Sequence, residues 1–341
     1  MPFDFDRVFA SSPVIMAPME EVSDAAFRRV CRARGADVCV TEFVRAENLL
    51  RNGTRELNKI TLAEGDTPTA IQIYGANPEQ LAEAAEIAER AQPAYLDINC
   101  GCWVPRIARH GAGAGWLRSP EAMVAMAKLV AARVALPVTV KTRIGWGDEA
   151  HVPIVDIARR LEDSGVRAIT LHCRTAKMGY SGEADWTWAL QVREAVSIPV
   201  IVNGDINTAD DCKRALDVTG CAGAMIGRRA IQHPWIFREV RARLDGQDAP
   251  PCPSVLERLT LCLDHLIAMG ELRGEHRAMN AMRGHYPGYL RQIPNAAELR
   301  RELNSLPTFE LTLQVLQREL TSHRQASSST ANMSGAACEL F

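Results

Sequence analysis

The sequence lacks any apolar run of the ~18–20 residues that a membrane-spanning helix needs, so no stretch of it is read as a span. It has almost no net charge, -2 over 341 residues. No global basic field therefore marks a nucleic-acid binder, and any such contact must come from a local patch. It has no pair of CxxC motifs. Its ten cysteines stand singly apart from Cys100 and Cys102, which argues against a structural zinc site. The acidic opening, Met1 to Arg7, has no signal-peptide pattern, so a disulfide framework is not expected either. The expectation is a cytoplasmic protein with free thiols and no bound metal. A GxGxxG turn is also missing after the first apolar strand. Pro18-Met19-Glu20-Glu21 stands there instead, which weighs against an open dinucleotide-binding sheet.

What is present is an alternation of strands and helices. Apolar segments at 14–17, 38–41, 69–73, 94–99, 138–142, 168–172, 199–203 and 223–226 read as strands. Helical patterns at 25–34, 78–91, 120–133, 155–164, 186–195 and 209–217 separate most of them, and 45–65 is a charged insertion without clear period. Continuous apolar strands imply burial on both faces, as in a parallel sheet. Eight such units over about 230 residues fit a (β/α)8 TIM barrel better than an open sheet. The barrel is expected over 1–244, with its last helix at 235–244, followed by a Pro/Gly/Asp linker at 245–253. Residues 254–323 show only helical periodicity, for example Leu256, Leu259, Leu263 and Leu266, and predict a small C-terminal α-helical domain. The tail 324–341, with its Ala-Ser-Ser-Ser-Thr run, is expected to be disordered.

In a barrel, the C-terminal strand ends form one mouth, and chemistry collects there. The ends here offer Met19, Glu42, Gln72, Asn99, Lys141 with Arg143, His172 with Arg174, Asn203 with Asp205, and Gly227-Arg228. Any one of these alone is an ordinary loop hydrogen-bonder. A polar or backbone-accessible group on every strand is hard to explain by stability. Asn203-Gly204-Asp205 and Gly227-Arg228 follow strands seven and eight, where barrels often bind phosphate. A lysine at the end of a buried strand is costly unless it faces an anion or an electron-rich ring. Gln72 both donates and accepts, which suits the edge of a heterocycle. A phosphorylated heterocycle such as flavin mononucleotide (FMN) fits this set, with Lys141 near the ring position that gains negative charge on reduction.

Seven motifs in order carry a family resemblance. They are Met16-Ala17-Pro18-Met19 with Val22-Ser23-Asp24, Gln72-Ile73-Tyr74-Gly75, Asp97-Ile98-Asn99-Cys100-Gly101-Cys102, Lys141-Thr142-Arg143-Ile144-Gly145-Trp146, His172-Cys173-Arg174-Thr175, Asn203-Gly204-Asp205-Ile206 and Met225-Ile226-Gly227-Arg228. Together they resemble the tRNA-dihydrouridine synthases. The resemblance implies an FMN-bound barrel, a C-terminal helical domain that helps hold tRNA, and NADPH-dependent reduction of the C5–C6 bond of a tRNA uridine. It implies hydride transfer from flavin N5 to C6 and a proton to C5 from a cysteine, whose position Cys102 takes. It places Pro18, Met19, Glu20, Gln72, Lys141, His172, Asn203, Gly204, Asp205, Gly227 and Arg228 at the flavin. Asn99, Arg143, Arg174, Arg277 and Arg283 fall to the tRNA substrate. A monomer is expected.

The residue type agrees with the role, because an unperturbed thiol, with pKa about 8.5, stays protonated near neutral pH. Cys100 reads as a filler thiol. Two departures from the family pattern bear on substrate position. Trp103 and Val104 stand between Cys102 and Pro105, and Glu20-Glu21 replace small residues after Met19. On the tRNA side, Arg273, His276, Arg277, Arg283, His285 and Arg291, with Tyr286 and Tyr289 between them, form a basic and aromatic cluster. Arg45, Arg51, Arg55, Arg106 and Arg109 would extend that track across the mouth, where a uracil would leave its stack to reach the flavin. The competing readings are an FMN barrel reductase of a free pyrimidine and a non-catalytic flavin- or RNA-binding regulator.

Overall fold

The computed structural model describes residues 3–63, 65–147 and 153–330. Among the described residues there are nine parallel strands: β1 (Val14–Met16), β2 (Val38–Val40), β3 (Val44–Arg45), β4 (Thr69–Tyr74), β5 (Leu96–Cys100), β6 (Val138–Arg143), β7 (Ala168–His172), β8 (Val200–Asn203) and β9 (Gly223–Ile226). The hydrogen-bonded order is β2-β1-β9-β8-β7-β6-β5-β4-β3, and a further pairing of β2 with β4 closes the ring. This is the expected TIM barrel. The two-residue β3 is extra to its eight staves and pairs further along β4, Val44 with Ile73 and Arg45 with Tyr74.

The strand residues are almost wholly buried, as a parallel sheet covered by helices requires. Caps start several of those helices. Asp24 accepts from the Phe27 N–H at 2.8 Å, and Asn77 from the Gln80 N–H at 3.0 Å. Thr208 and Asp211 form a reciprocal capping box, which satisfies two orphan N–H groups at once. The charged insertion holds two short helices, Ala46–Leu50 and Thr54–Ile60. Pieces this short give no readable helical period.

An aromatic plug at one end of the barrel has no counterpart in the sequence pattern. The N-terminal helix Phe5–Phe9 stacks its two rings at 4.2 Å and sets Phe5 edge-on to Tyr95 at 5.7 Å. Tyr95 immediately precedes β5. The same buried cluster includes Ile15, Val38, Val40, Ala70, Ile201 and Met225, so the aromatic group closes the strand-start end of the barrel.

The described residues divide into two compact units. The first runs to Gly227 and includes Ile236–Gln247; the second is Arg228–Trp235 with the residues from Asp248 on. Arg228–Trp235, read from sequence as barrel, thus belongs with the helices. Within that second unit Trp235 is fully buried, edge-on to Tyr289 at 6.4 Å and beneath the Arg258 guanidinium at 5.0 Å. Its main helices are Val255–Arg273, Glu275–Met282, Ala296–Ser305 and Phe309–Thr330. The last of these makes 324–330 helical, where composition suggested disorder; the rest of that tail lies outside the described residues.

This packing sets the expected cost of two substitutions. Phe9→Ala removes most of a 3%-exposed ring and should cost about 3 kcal/mol in urea denaturation. Gly288→Ala should destabilise the helical unit selectively, because a Cβ there would stand 2.2 Å from the Gln232 carbonyl oxygen. Hydrogen exchange resolved by segment should show the loss in 255–320 and leave β4 to β9 unchanged.

Candidate active site

The site is built on the register of the strands. β5 and β6 align Asn99 with Lys141, β4 and β5 align Gln72 with Asp97, and β7 and β8 align His172 with Asn203. Gln72 is fully buried. Its Nε2 donates to Asp97 Oδ2 at 2.6 Å, and its Oε1 accepts from Asn99 Nδ2 at 2.9 Å. Asn99 Oδ1 in turn accepts the backbone N–H groups of Gly101 at 3.0 Å and Cys102 at 2.9 Å. The other oxygen of Asp97 accepts from the Thr139 hydroxyl. Burial pushes the Asp97 carboxyl up to about 6, against the hydrogen bonds from Gln72 and Thr139 and the charge of Lys141.

Cys102 is half-buried just beyond β5, whereas Cys100 is fully buried within it. Burial raises the Cys102 thiol, opposed by the Val104 backbone N–H and the Arg143 charge. It therefore stays protonated at neutral pH. Cys100 is raised further by its deeper burial and has the surroundings of a filler thiol.

Lys141 donates to Asn203 Oδ1 at 3.0 Å, and Asn203 Nδ2 donates to the Met225 carbonyl at 2.8 Å. The side chain keeps some exposure. Enclosure by the strands pushes its ammonium down to about 8, with the Arg143 charge adding to the effect and Asp97 opposing it. Gly204, at φ +119°, lets its backbone approach His172; a Cβ would stand 3.1 Å from the imidazole Cδ2.

Two arginines assigned from sequence to the substrate are anchored to backbone carbonyls. Arg143 is 2% exposed. Its Nε donates to the Gly101 carbonyl at 3.0 Å, and one terminal nitrogen donates to the carbonyls of Thr175 and Gly179 at 2.8 and 2.9 Å. Arg174 donates to the carbonyls of Ser181 and Gly182 and pairs with Asp205 at 2.6 Å. Both guanidinium groups thus pin the loop after β7.

A protein-family model described as Dihydrouridine synthase (Dus) matches residues 15–325. The chain belongs to the dihydrouridine synthase family. It is 35% identical over 304 residues to the probable tRNA-dihydrouridine synthase 1 of Synechocystis, covering 89% of this chain and 84% of that protein. It is 34% identical to tRNA-dihydrouridine synthase B of Vibrio vulnificus, covering 89% and 94%. The probable tRNA-dihydrouridine synthase of Rhodobacter capsulatus is 35% identical over 96% of this chain and 100% of its own length. As a dihydrouridine synthase the chain is a flavin-dependent oxidoreductase with a tRNA substrate, and the free-pyrimidine and non-catalytic readings fall away. No described helix is long and apolar enough to cross a membrane.

The residues present suit the flavin of this family. Beside Gly227 no atom comes nearer than 3.6 Å to where a Cβ would stand, so its glycine is not forced by protein packing. Arg174 carries a buried terminal nitrogen without a hydrogen-bond partner, next to Asp205. A cationic N–H left over at the β8 turn matches a phosphate oxygen.

The other expected residues lie in varied settings. Pro18, Met19 and Glu20 are partly buried after β1. The Glu20 carboxylate takes both Lys59, at 2.9 Å, and Arg55. Arg55 also pairs with Glu21, and Arg45 with Glu47, so that part of the suggested basic track is neutralised. Trp103 lies edge-on to Tyr180 at 5.8 Å and against Gly179. Arg228 is exposed at the start of its own short helix. In the helical unit Arg277 and Arg283 are exposed, but His285, Tyr286 and Tyr289 are core residues. His285 sits edge-on to His265 at 4.7 Å, and burial pushes it down to about 4. The aromatic half of the expected cluster is therefore packing, not surface.

Sequence reasoning assigns no role to Asp97 or Thr139. The available signal is a carboxylate inside an otherwise apolar strand.

The Lys141 value carries a stability prediction. Because its folded pKa is depressed, the unfolded chain binds the extra proton between about pH 8 and 10, and this residue makes stability rise with pH there. Relative to Lys141→Met, the apoprotein should gain about 1 kcal/mol per pH unit across that window, read as the difference between the two urea midpoint series.

Proposed function

We propose that the chain reduces the C5–C6 double bond of particular tRNA uridines, with FMN in the barrel mouth and NADPH as reductant. FMN, when bound and reduced, supplies the hydride that adds to C6. Cys102 Sγ holds the proton for C5. As the C5–H bond forms, the S–H bond breaks, and the thiolate left behind takes a proton from water. The Cys102 thiol carries this reading: it is half-buried just beyond β5 and stays protonated at neutral pH, as the proton donor to an enolate carbon must.

Around it, Lys141, with Asn203 as its partner, sets positive charge where a reduced flavin is most electron-rich. Gln72 and His172 border the same mouth, and Pro18, Met19 and Glu20 line its β1 side. Gly204, Asp205, Gly227 and Arg228 supply backbone and charge for the phosphate, with the spare N–H of Arg174. Asn99 and Arg143 fix the loop that carries Cys102. Arg277 and Arg283 offer exposed charge for tRNA phosphates, each such contact adding to the salt dependence of binding.

Mass-spectrometric mapping of dihydrouridine in tRNA tests this, using cells with the gene, without it, and with Cys102→Ala or Cys100→Ala. Deletion should remove dihydrouridine from defined positions. Cys102→Ala should do the same, with at least about a hundredfold loss in vitro, while Cys100→Ala retains the modification. Dihydrouridine unchanged in the deletion, in a strain without another synthase, would falsify the reading. Arg277→Ala with Arg283→Ala should weaken tRNA binding and flatten its salt dependence, leaving NADPH oxidation by the holoenzyme alone unchanged.

A further inference from the structure

We infer that Asp97 is a positioning residue for the reaction: its carboxylate fixes the direction of a buried hydrogen-bond chain that ends on the backbone of Cys102. The inference rests on the proposed role of Cys102 as the proton donor.

The chain runs from β6 across β5 to β4 and back. Thr139 and Gln72 both donate to Asp97. Gln72 then accepts from Asn99, and Asn99 accepts from the N–H groups of Gly101 and Cys102. Every link points the same way, towards the carboxylate. An ionised carboxylate only accepts hydrogen bonds, whereas each amide can be turned either way round. Asp97 is therefore the member that orients the others. It forces Gln72 to present Nε2 to it and Oε1 to Asn99. Asn99 must then present Nδ2 to Gln72, which leaves Oδ1 for the two loop N–H groups. Those N–H groups belong to the turn that carries the thiol.

The surroundings suit this task. Asp97 is 2% exposed and has both oxygens occupied by hydrogen bonds from protein. Lys141 is the cation whose charge acts on it, and Tyr95 and Cys100 are the titratable neighbours that feel the carboxylate. Its carboxyl remains largely ionised at neutral pH.

A fixed donor direction makes the effect of one substitution repairable by another. Asp97→Asn no longer fixes one direction. Its NH2 can face Thr139 only if that hydroxyl turns from donor to acceptor and sends its proton to the Leu96 carbonyl, a 3.4 Å contact. Where the oxygen instead keeps the Thr139 hydroxyl, the NH2 faces Gln72, Gln72 turns over, its NH2 meets that of Asn99, and the loop N–H groups lose their acceptor or meet another donor. Adding Gln72→Glu should repair the polarity. A carboxylate at position 72 accepts from the new amide at position 97 on one side and from Asn99 on the other. Asn99 then again offers its oxygen to Gly101 and Cys102.

The test uses the full-length holoenzyme and two readouts. Turnover on unmodified tRNA should fall about tenfold or more in kcat for Asp97→Asn, with KM for tRNA changed less than about threefold. Alkylation of Cys102 by iodoacetamide, mapped by mass spectrometry, should change rate by a similar factor in the single variant. In D97N/Q72E it should return to within about threefold of the wild-type rate. The alkylation readout is independent of turnover, which matters because Gln72 itself borders the flavin site. If D97N does not accumulate as folded protein, recovery of folding in D97N/Q72E is the expected result. A single variant with wild-type kcat and alkylation, or a double variant that recovers neither folding nor alkylation, overturns the inference. Wild-type enzyme that forms no dihydrouridine would instead sink the functional reading, with the alkylation result still deciding the role of Asp97.

Discussion

A buried negative charge that can only accept hydrogen bonds constrains this barrel more than any other single group. Asp97 stands within a parallel strand, away from solvent and between apolar neighbours. The displacement of its pKa from 3.8 to about 6 corresponds to about 3 kcal/mol against the ionised form. Because the folded value is raised, this cost appears as pH climbs from about 4 to 6 and persists at neutrality. A strand that needed only stability would place a valine or threonine there. The cost is offset in part by a fixed amide polarity across three strands, and that polarity converts a flexible Gly-Cys turn into a defined platform. Lys141, near it on the next strand, is held below its ordinary value by the same enclosure, and the two charges moderate each other.

The two ends of the barrel are thus built from opposite materials. The strand-start end is filled by Phe5, Phe9 and Tyr95 around an apolar layer. The strand-finish end carries amides, two arginines, a lysine and the Cys102 thiol. The rigid aromatic end anchors the staves, so the polar end is spared from supplying packing energy. A carboxamide network costs little when every member is satisfied and a great deal when one is not, and Thr139, Asp97, Gln72 and Asn99 satisfy one another.

The eight staves, the closing of the barrel and the residues at the strand ends were legible because they follow from periodicity and from motif order. Three things were not. The short strand Val44–Arg45 and the helices after it fall below the window in which a period can be seen. The aromatic plug depends on Tyr95 meeting a helix some ninety residues away in sequence, which no local pattern encodes. The partners of charged side chains were misjudged in a consistent way. Arg143, Arg45 and Arg55 looked available for substrate, yet the partners they show are carbonyls or neighbouring carboxylates, and Arg174 keeps only one terminal nitrogen unbonded. A sequence shows that a guanidinium exists but not what has already taken its hydrogens. Tyr286 and Tyr289 show the same limit for aromatics: lying between arginines did not put them on the surface.

The loop after β7 is gripped largely through its main chain. Arg143 and Arg174 hold the carbonyls of Thr175, Gly179, Ser181 and Gly182, groups that every amino acid possesses. Side chains add to that grip: the Thr175 N–H donates to Met178 Sδ, the Met178 N–H donates to Thr175 Oγ1 at 3.3 Å, and Tyr180 meets Trp103 edge-on. Each arginine secures two of those four carbonyls, so the loss of either would release half of these main-chain anchors at once.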